Sequence, residues 1–360
     1  MSKQAIIQDL LTTNDVGAIL ITSEQNRFWY TTFPSSLGYL LITKNRSYLF
    51  LDGRYITAAK ESKTLQNVDE LFLFKGDLFA QIKQILVEQK ITRLGFESDW
   101  TIYQDYLTWT TKFEQIQLIP INTDRIRMIK DDQEIQALKK AGAITHEVFL
   151  EVLSYVRPGM TERMVATFVS DAFLRHGADK LSFDTIVASG VNGSKPHAVP
   201  SDKVIEPGEL VTLDMGCYFQ GYASDQTRTF LVGEEVNNPE LLKVYDVVYQ
   251  AQSLGISLLK PGVLCRNIHQ EVDKFIATQG YEGYFTHGLG HGLGIEIHEE
   301  PYENPVGDVV LAPGMTLTVE PGIYLPGIGG VRIEDDFVIT DQGAEALTNP
   351  LRELQKINLG

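Results

Sequence analysis

Leu210-Val211-Thr212-Leu213-Asp214-Met215-Gly216 and Ser224-Asp225-Gln226-Thr227-Arg228-Thr229-Phe230 are two β-prone runs, each with one acidic residue, and Gly221 lies near the midpoint between them. Such runs joined by a short glycine-containing link predict a β-hairpin. Pairing symmetric about the Phe219/Gln220 bond sets Asp214 opposite Asp225, with Cβ atoms about 4.5–5.5 Å apart. Two carboxylates that close repel each other, so the pair either raises one pKa or is held by a bound cation.

The flanking chain repeats itself. Arg157-Pro158-Gly159 through Gly177 aligns without gaps on Lys260-Pro261-Gly262 through Gly280, with Val165 over Ile268, Val169 over Val272 and Phe173 over Ile276. Each copy is a Pro-Gly turn followed by an amphipathic helix. Further on, Glu206-Pro207-Gly208 falls on Ala312-Pro313-Gly314, and Leu213-Asp214 on Val319-Glu320. The pattern predicts a duplicated helix-plus-hairpin unit. By the repeat, Glu320 and Glu334 form the equivalent acidic pair, in Thr318-Val319-Glu320-Pro321-Gly322 and Val331-Arg332-Ile333-Glu334-Asp335.

His287, His291 and His298 concentrate in Thr286-His287-Gly288-Leu289-Gly290-His291-Gly292-Leu293-Gly294-Ile295-Glu296-Ile297-His298, where alternate glycines permit close backbone approach to a ligand. No Gly-Lys-Ser/Thr ending follows, so the glycines do not form a phosphate loop. Four acids with an imidazole suit Mn, Co, Zn or Fe better than soft copper. Two such ions about 3.5–4 Å apart can activate water and polarise a carbonyl, the chemistry of amide hydrolysis.

Upstream, strand-like runs at Gly17 to Thr22, Tyr39 to Thr43 and Ser47 to Leu51 alternate with helical stretches such as Asp77 to Gln89, which predicts a small α/β domain. A helical period begins at Asp131 and runs through Ile135, Leu138, Ile144, Val148, Val152 and Tyr155. The boundary is expected near Asn122, giving domains 1–121 and 122–360 and an α+β class overall. The formal charge of −16 repels phosphate backbones and argues against a nucleic-acid partner. Hydrophobic and charged fractions of 43% and 22% match ordinary folded proteins, and no apolar run approaches the roughly 18 residues of a membrane span. Met1-Ser2-Lys3-Gln4-Ala5 opens no apolar leader, so the expected location is cytoplasmic. Cys217 and Cys265 are too few for a disulfide framework and are expected to be buried bystanders.

The Asp-x10-Asp pair, the Gly-His-Gly segment with a second histidine seven residues on, the Val-Glu-Pro-Gly strand and the Arg-Ile-Glu-Asp strand closely resemble the methionine aminopeptidase, aminopeptidase P and prolidase superfamily. That resemblance spans residues 122–360 and implies the pita-bread fold with pseudo-twofold halves. It implies that Asp214 chelates one metal, that Asp225 and Glu334 bridge two, and that His291 with Glu320 completes the other. Two divalent ions are implied, Mn first, with Co or Zn as alternatives. Glu320 would exchange a proton with the attacking water. His298, His287 and His197, the last in Lys195-Pro196-His197-Ala198-Val199-Pro200, would face the substrate and stabilise developing charge. Tyr324 is a weaker candidate, and Arg332 is expected to brace a bridging carboxylate. Asp335 and Asp336 are expected to be solvated or structural.

The N-terminal domain resembles that of aminopeptidase P, prolidase and creatinase, through Gly38-Tyr39-Leu40-Leu41-Ile42-Thr43 and Leu51-Asp52-Gly53-Arg54-Tyr55. Thr32-Phe33-Pro34-Ser35-Ser36-Leu37 departs from the form common there. Arg54 would reach a substrate terminus, a neighbouring subunit or an acid of its own domain.

The function implied is hydrolysis of the bond between an N-terminal residue and a following proline, whose imide lacks an N–H and fixes φ, so that a dedicated pocket is needed. Prolidases tend to supply an Arg between the metal histidine and the glutamate strand. Here neither Arg nor Lys lies between His291 and Glu320, and Tyr302 follows Glu299-Glu300-Pro301, which favours an aminopeptidase over a dipeptidase. A creatinase-like metal-free C–N hydrolase and a non-catalytic binding module are the remote alternatives. Both would show decay of the ligand set, whereas all five positions are filled. Proline-containing peptides are the expected partners, and the resemblance implies a homodimer.

Overall fold

The computed structural model describes residues 2–74, 76–349 and 351–358. The chain divides into two compact units, Met1–Arg127 and Met128–Gly360. In the first, a six-stranded sheet runs in the order Glu70–Leu73, Ser47–Leu51, Tyr39–Thr43, Ala18–Ile21, Arg93–Glu97, Gln117–Ile121. Every residue of Ala18–Ile21 is buried, as in a strand covered on both faces. Asp77 caps the helix Leu78–Glu88 by accepting from the Phe79 and Ala80 amides, and Leu78, Ile82, Ile85 and Leu86 follow at helical spacing into a core with Leu94 and Phe96.

Residues after the last strand stay with this unit because Thr123 bonds to Asp99 and Asn26, and Arg127 donates to Asn26 Oδ1. Arg54 makes an exposed ion pair with Asp52 at 2.7 Å, the last of the three roles open to it. In the segment 32–37, Thr32 takes a left-handed conformation at φ 54°, and the Ser35 carbonyl accepts from Arg27 Nη2 at 2.6 Å.

The second unit opens with the helix Asp132–Tyr155, whose N-terminus carries a full capping box between Asp131 and Glu134. It buries Ala141, Ile144, Val148 and Val152 against the first hairpin, through Val211, Leu213 and Phe230. The expected duplication is present in detail. The helices Glu162–Arg175 and Cys265–Ile276 each follow a Pro-Gly turn with a positive-φ glycine, Gly159 at 90° and Gly262 at 85°. Equivalent bridges join Thr161 to Val204 and Leu264 to Val310.

Each copy feeds an antiparallel sheet. One runs Lys356–Ile357, Gln226–Val232, Leu210–Met215, Ile186–Ser189, with its first strand parallel to the second, and the other runs Glu299–Glu303, Gly290–Gly292, Thr316–Val319, Asp335–Thr340, Gly343–Ala346. The two hairpins are fastened by Arg228, which pairs with Asp335 at 2.6 Å and also donates to the Glu334 carbonyl. Asp335 and Asp336 are 0% and 1% exposed. Of the two roles expected for them, solvated or structural, both take the structural one, because the register turns them inward to meet Arg228 and the Asp225 amide. Cys217 and Cys265 are buried free thiols.

Candidate metal centre

The first hairpin corrects the expected register. Gln220 and Gly221 take φ of 51° and 80°, both positive as in a tight I′ turn, so Phe219 faces Tyr222 and the symmetry centre moves one residue towards the C-terminus. Asp214 consequently faces Thr227 rather than Asp225. A partner shift of two positions keeps the same face, so Asp225 still opens on the cavity that Asp214 lines, as its diagonal neighbour.

The second hairpin has one register on both sides of a gap, with Val319 facing Asp335 and Gly322 facing Arg332. Glu320 and Glu334 fall in that gap, at directly facing positions. The two acidic pairs are therefore related as diagonal and direct neighbours, not as strict equivalents.

His291 enters from the neighbouring strand Gly290–Gly292. A Cβ on Gly290 would come within 2.1 Å of the Thr318 carbonyl oxygen, so only glycine lets this strand lie so close to Thr316–Val319. The His291 amide donates to Thr318 Oγ1 at 3.1 Å, and Nδ1 faces the Gly292 carbonyl at 3.1 Å, so that nitrogen carries the proton. Nε2 is left as a donor pair for a cation, 3.4 Å from Glu320 Oε1 and 3.7 Å from Asp225 Oδ2. Ligand atoms of Asp225, His291 and Glu334 all lie within 4.8 Å of one another.

These side chains line one cavity of about 300 Å³, with His197, His287, His298, Tyr302, Asn304 and Arg332 around them and Phe183, Ile186 and Pro196 as an apolar wall. Burial, then Glu334 and Asp214, push the Asp225 carboxyl well above its ordinary range. Burial, then Glu320 and Asp214, do the same to Glu334. Glu320 is pushed up to about 8, chiefly by burial, with Asp214 adding and Arg332 opposing. His291 is lowered to about 3 by burial and His298, so its imidazole is neutral and ready to ligate. Asp214 Oδ1 and Asp225 Oδ1 are buried without a hydrogen-bond partner. Crowded acids, a neutral imidazole and orphaned oxygens fit hard divalent cations.

Arg332 grips Asp214, Nη2 to Oδ2, at 2.6 Å, and its Nη1 donates to Tyr324 Oη at 2.9 Å and the Pro196 carbonyl at 3.1 Å. Its direct carboxylate partner is Asp214, and it reaches Glu334 through Thr227 Oγ1, which accepts from Arg332 Nε at 3.1 Å and donates to Glu334 Oε2 at 2.6 Å. Tyr324 passes the chain on to His287 Nε2 at 2.8 Å, while His287 Nδ1 faces the Gly288 carbonyl at 2.7 Å. Burial and Arg332 lower His287 to about 4, so it stays neutral. His298 stands edge-on to His291 at 4.3 Å between ring centroids. His197 is exposed at the cavity mouth.

Sequence reasoning missed Thr227, Thr318 and Asp336, which hold Glu334, His291 and the Asp225 amide. Facing strand positions could have found Thr227, but a threonine in a strand otherwise reads as ordinary β-propensity.

Residues 136–341 match the model of metallopeptidase family M24, and residues 5–129 match the creatinase/prolidase N-terminal domain. The chain belongs to metallopeptidase family M24. It is 39% identical over 341 residues to an uncharacterized peptidase, YqhT, of Bacillus subtilis, covering 94% of this chain and 95% of that protein. Among solved structures, the Xaa-Pro dipeptidase from Bacillus anthracis superposes with a TM-score of 0.93 at 38% identity, covering 98% and 99% of the two chains. The X-Pro aminopeptidase from Thermotoga maritima superposes at 0.89 with 32% identity, covering 97% and 100%. The M24 unit thus has the pita-bread fold, preceded by a creatinase-type domain. No helix among the described residues is long and apolar enough to cross a membrane.

Proposed function

We propose that this M24 peptidase removes the N-terminal residue from peptides with proline in second position, and prefers tripeptides or longer chains to dipeptides. The observation that supports it most is the convergence of Asp214, Asp225, His291, Glu320 and Glu334 on one cavity that also has an apolar wall of Phe183, Ile186 and Pro196. The preference for longer chains rests on the cavity lining. Arg332 is its one Arg or Lys among the described residues and is engaged by Asp214, Tyr324 and Pro196, while Tyr302 stands half-exposed at the mouth. A free C-terminal carboxylate finds no unengaged Arg or Lys there.

Those five residues would hold two divalent ions, manganese first and cobalt or zinc as alternatives. The ions would supply Lewis acidity and an activated water. Glu320 takes up and returns a proton at its carboxylate. His298 donates towards the scissile carbonyl and its tetrahedral successor, and neutral His287, with its Nδ1–H on the Gly288 carbonyl and its Nε2 accepting from Tyr324, borders the substrate. His197 closes the mouth over the substrate. The proposal includes a homodimer, as the family resemblance implies, and a cytoplasmic location.

The test is chelator-treated protein restored with Mn, Co or Zn and offered Ala-Pro and Arg-Pro-Pro. Release of arginine with little action on the dipeptide supports the proposal. The reverse preference, which the name of the Bacillus anthracis relative favours, would make the chain an Xaa-Pro dipeptidase.

A further inference from the structure

His197 belongs to a segment, residues 190–200, that leaves the strand Ile186–Ser189 and returns at Ser201 to the start of the helix Glu162–Arg175. Its outer part is open to water, with Val199 81% exposed. An exposed segment of this length samples many conformations unless its ends are held. Both ends meet one buried side chain. Glu162, 0% exposed, accepts from the Ser189 amide and hydroxyl at 2.8 Å each with Oε1, and from the Ser201 amide at 3.1 Å and hydroxyl at 2.7 Å with Oε2. Asn192 Nδ2 lies between the two oxygens at 3.1 and 3.2 Å. The incoming end is further docked on the helix start, where Glu162 and Arg163 donate their amides to the Lys203 and Ser201 carbonyls. Near its middle, the Pro196 carbonyl accepts from Arg332, which also holds Asp214.

The duplication provides an internal control. Cys265 stands in the second copy where Glu162 stands in the first, and its amide is bonded to the Val309 carbonyl as that of Glu162 is to Lys203. The helix-plus-hairpin unit therefore forms without a carboxylate at this position. The carboxylate is present only in the copy whose strand exit carries His197.

We propose that Glu162 is a positioning residue, whose buried carboxylate holds both ends of residues 190–200 and so presents His197 to the cavity. It touches neither substrate nor metal. The proposal rests on the reading of His197 as substrate-facing.

Glu162→Gln puts an amide NH2 against donors at one end or the other and releases that end. In the Mn-restored enzyme, E162Q lowers kcat on Arg-Pro-Pro by about tenfold, while manganese affinity stays within about twofold. In the metal-free protein, amides from Ser189 to Ser201 exchange with solvent at least about tenfold faster, and those of Leu213 and Phe230 do not change. The decisive comparison is the double variant: in a His197→Ala background, E162Q lowers kcat no further. If E162Q does not fold, Ser201→Ala, which removes one donor, gives a smaller loss of the same kind, again absent beside H197A. A double variant that loses the product of both factors overturns the positioning role alone, as does E162Q with wild-type kcat. An H197A enzyme of full activity removes the role of His197 and with it the proposal.

Discussion

Arg332 and Asp214 form a buried ion pair at 2.6 Å across the two hairpins, Asp214 in the first copy and Arg332 in the second. The contact engages Oδ2 and leaves Oδ1 of Asp214, a residue that lines the cavity, buried without a hydrogen-bond partner. One guanidinium thereby fixes an acid of the centre, the Tyr324 hydroxyl and the chain beside His197.

Lysine cannot reproduce that fork. Arg332→Lys keeps the charge but not the planar fork whose three nitrogens reach Asp214, Tyr324 and Thr227 together, so manganese affinity is expected to fall about 10- to 100-fold. Isothermal titration of chelator-treated protein measures it; wild-type affinity would show that Asp214 needs no such brace.

Asp225→Asn removes charge from the most crowded position of the cluster. Turnover of Arg-Pro-Pro is expected to fall by at least about 100-fold, with loss of bound metal by elemental analysis. A variant that kept turnover would remove the two-metal mechanism.

Metal-free protein is expected to lose stability as pH rises from about 5 to 8. Glu320, with an ordinary value of 4.5, is pushed up to about 8 in the fold. Between those values the native state binds the proton and the unfolded chain does not, so the gain present below 4.5 is lost as pH passes through 8. Thermal denaturation against pH shows the slope, and manganese, which replaces the proton, should flatten it. A Tm that rises with pH across this window would contradict the assignment.

Tyr302→Arg supplies a cation at the mouth. The ratio of kcat/KM for Ala-Pro over Arg-Pro-Pro should rise about tenfold, the worth of one modest charge-assisted contact. An unchanged ratio would show that position 302 does not read the substrate's C-terminus.

Much of this architecture is legible in the sequence because its determinants are local. Asp131 with Glu134 marks the start of the long helix, and the repeated Pro-Gly turns mark the duplicated unit. The acids stand out because carboxylates inside β-prone runs conflict with burial unless something pairs them. Register was harder: whether the turn centres on Phe219/Gln220 or Gln220/Gly221 depends on which residues accept positive φ, and a glutamine does so here. Asp335 and Asp336 follow Glu334 in a run of acids that looks solvated, and only the fold shows Arg228 waiting for the first of them. Glu162 reads as an ordinary first-turn acid facing a helix dipole. Its partners lie 27 and 39 residues away, beyond any local pattern.

The second hairpin interrupts its ladder where Glu320 and Glu334 face each other, and the first does so at Ser224 and Asp225. Two of the five proposed donors come from one copy and three from the other. Because both copies lie on one chain, the connecting residues hold the two groups of donors at an effective concentration on the order of millimolar, so their meeting does not depend on the abundance of the protein.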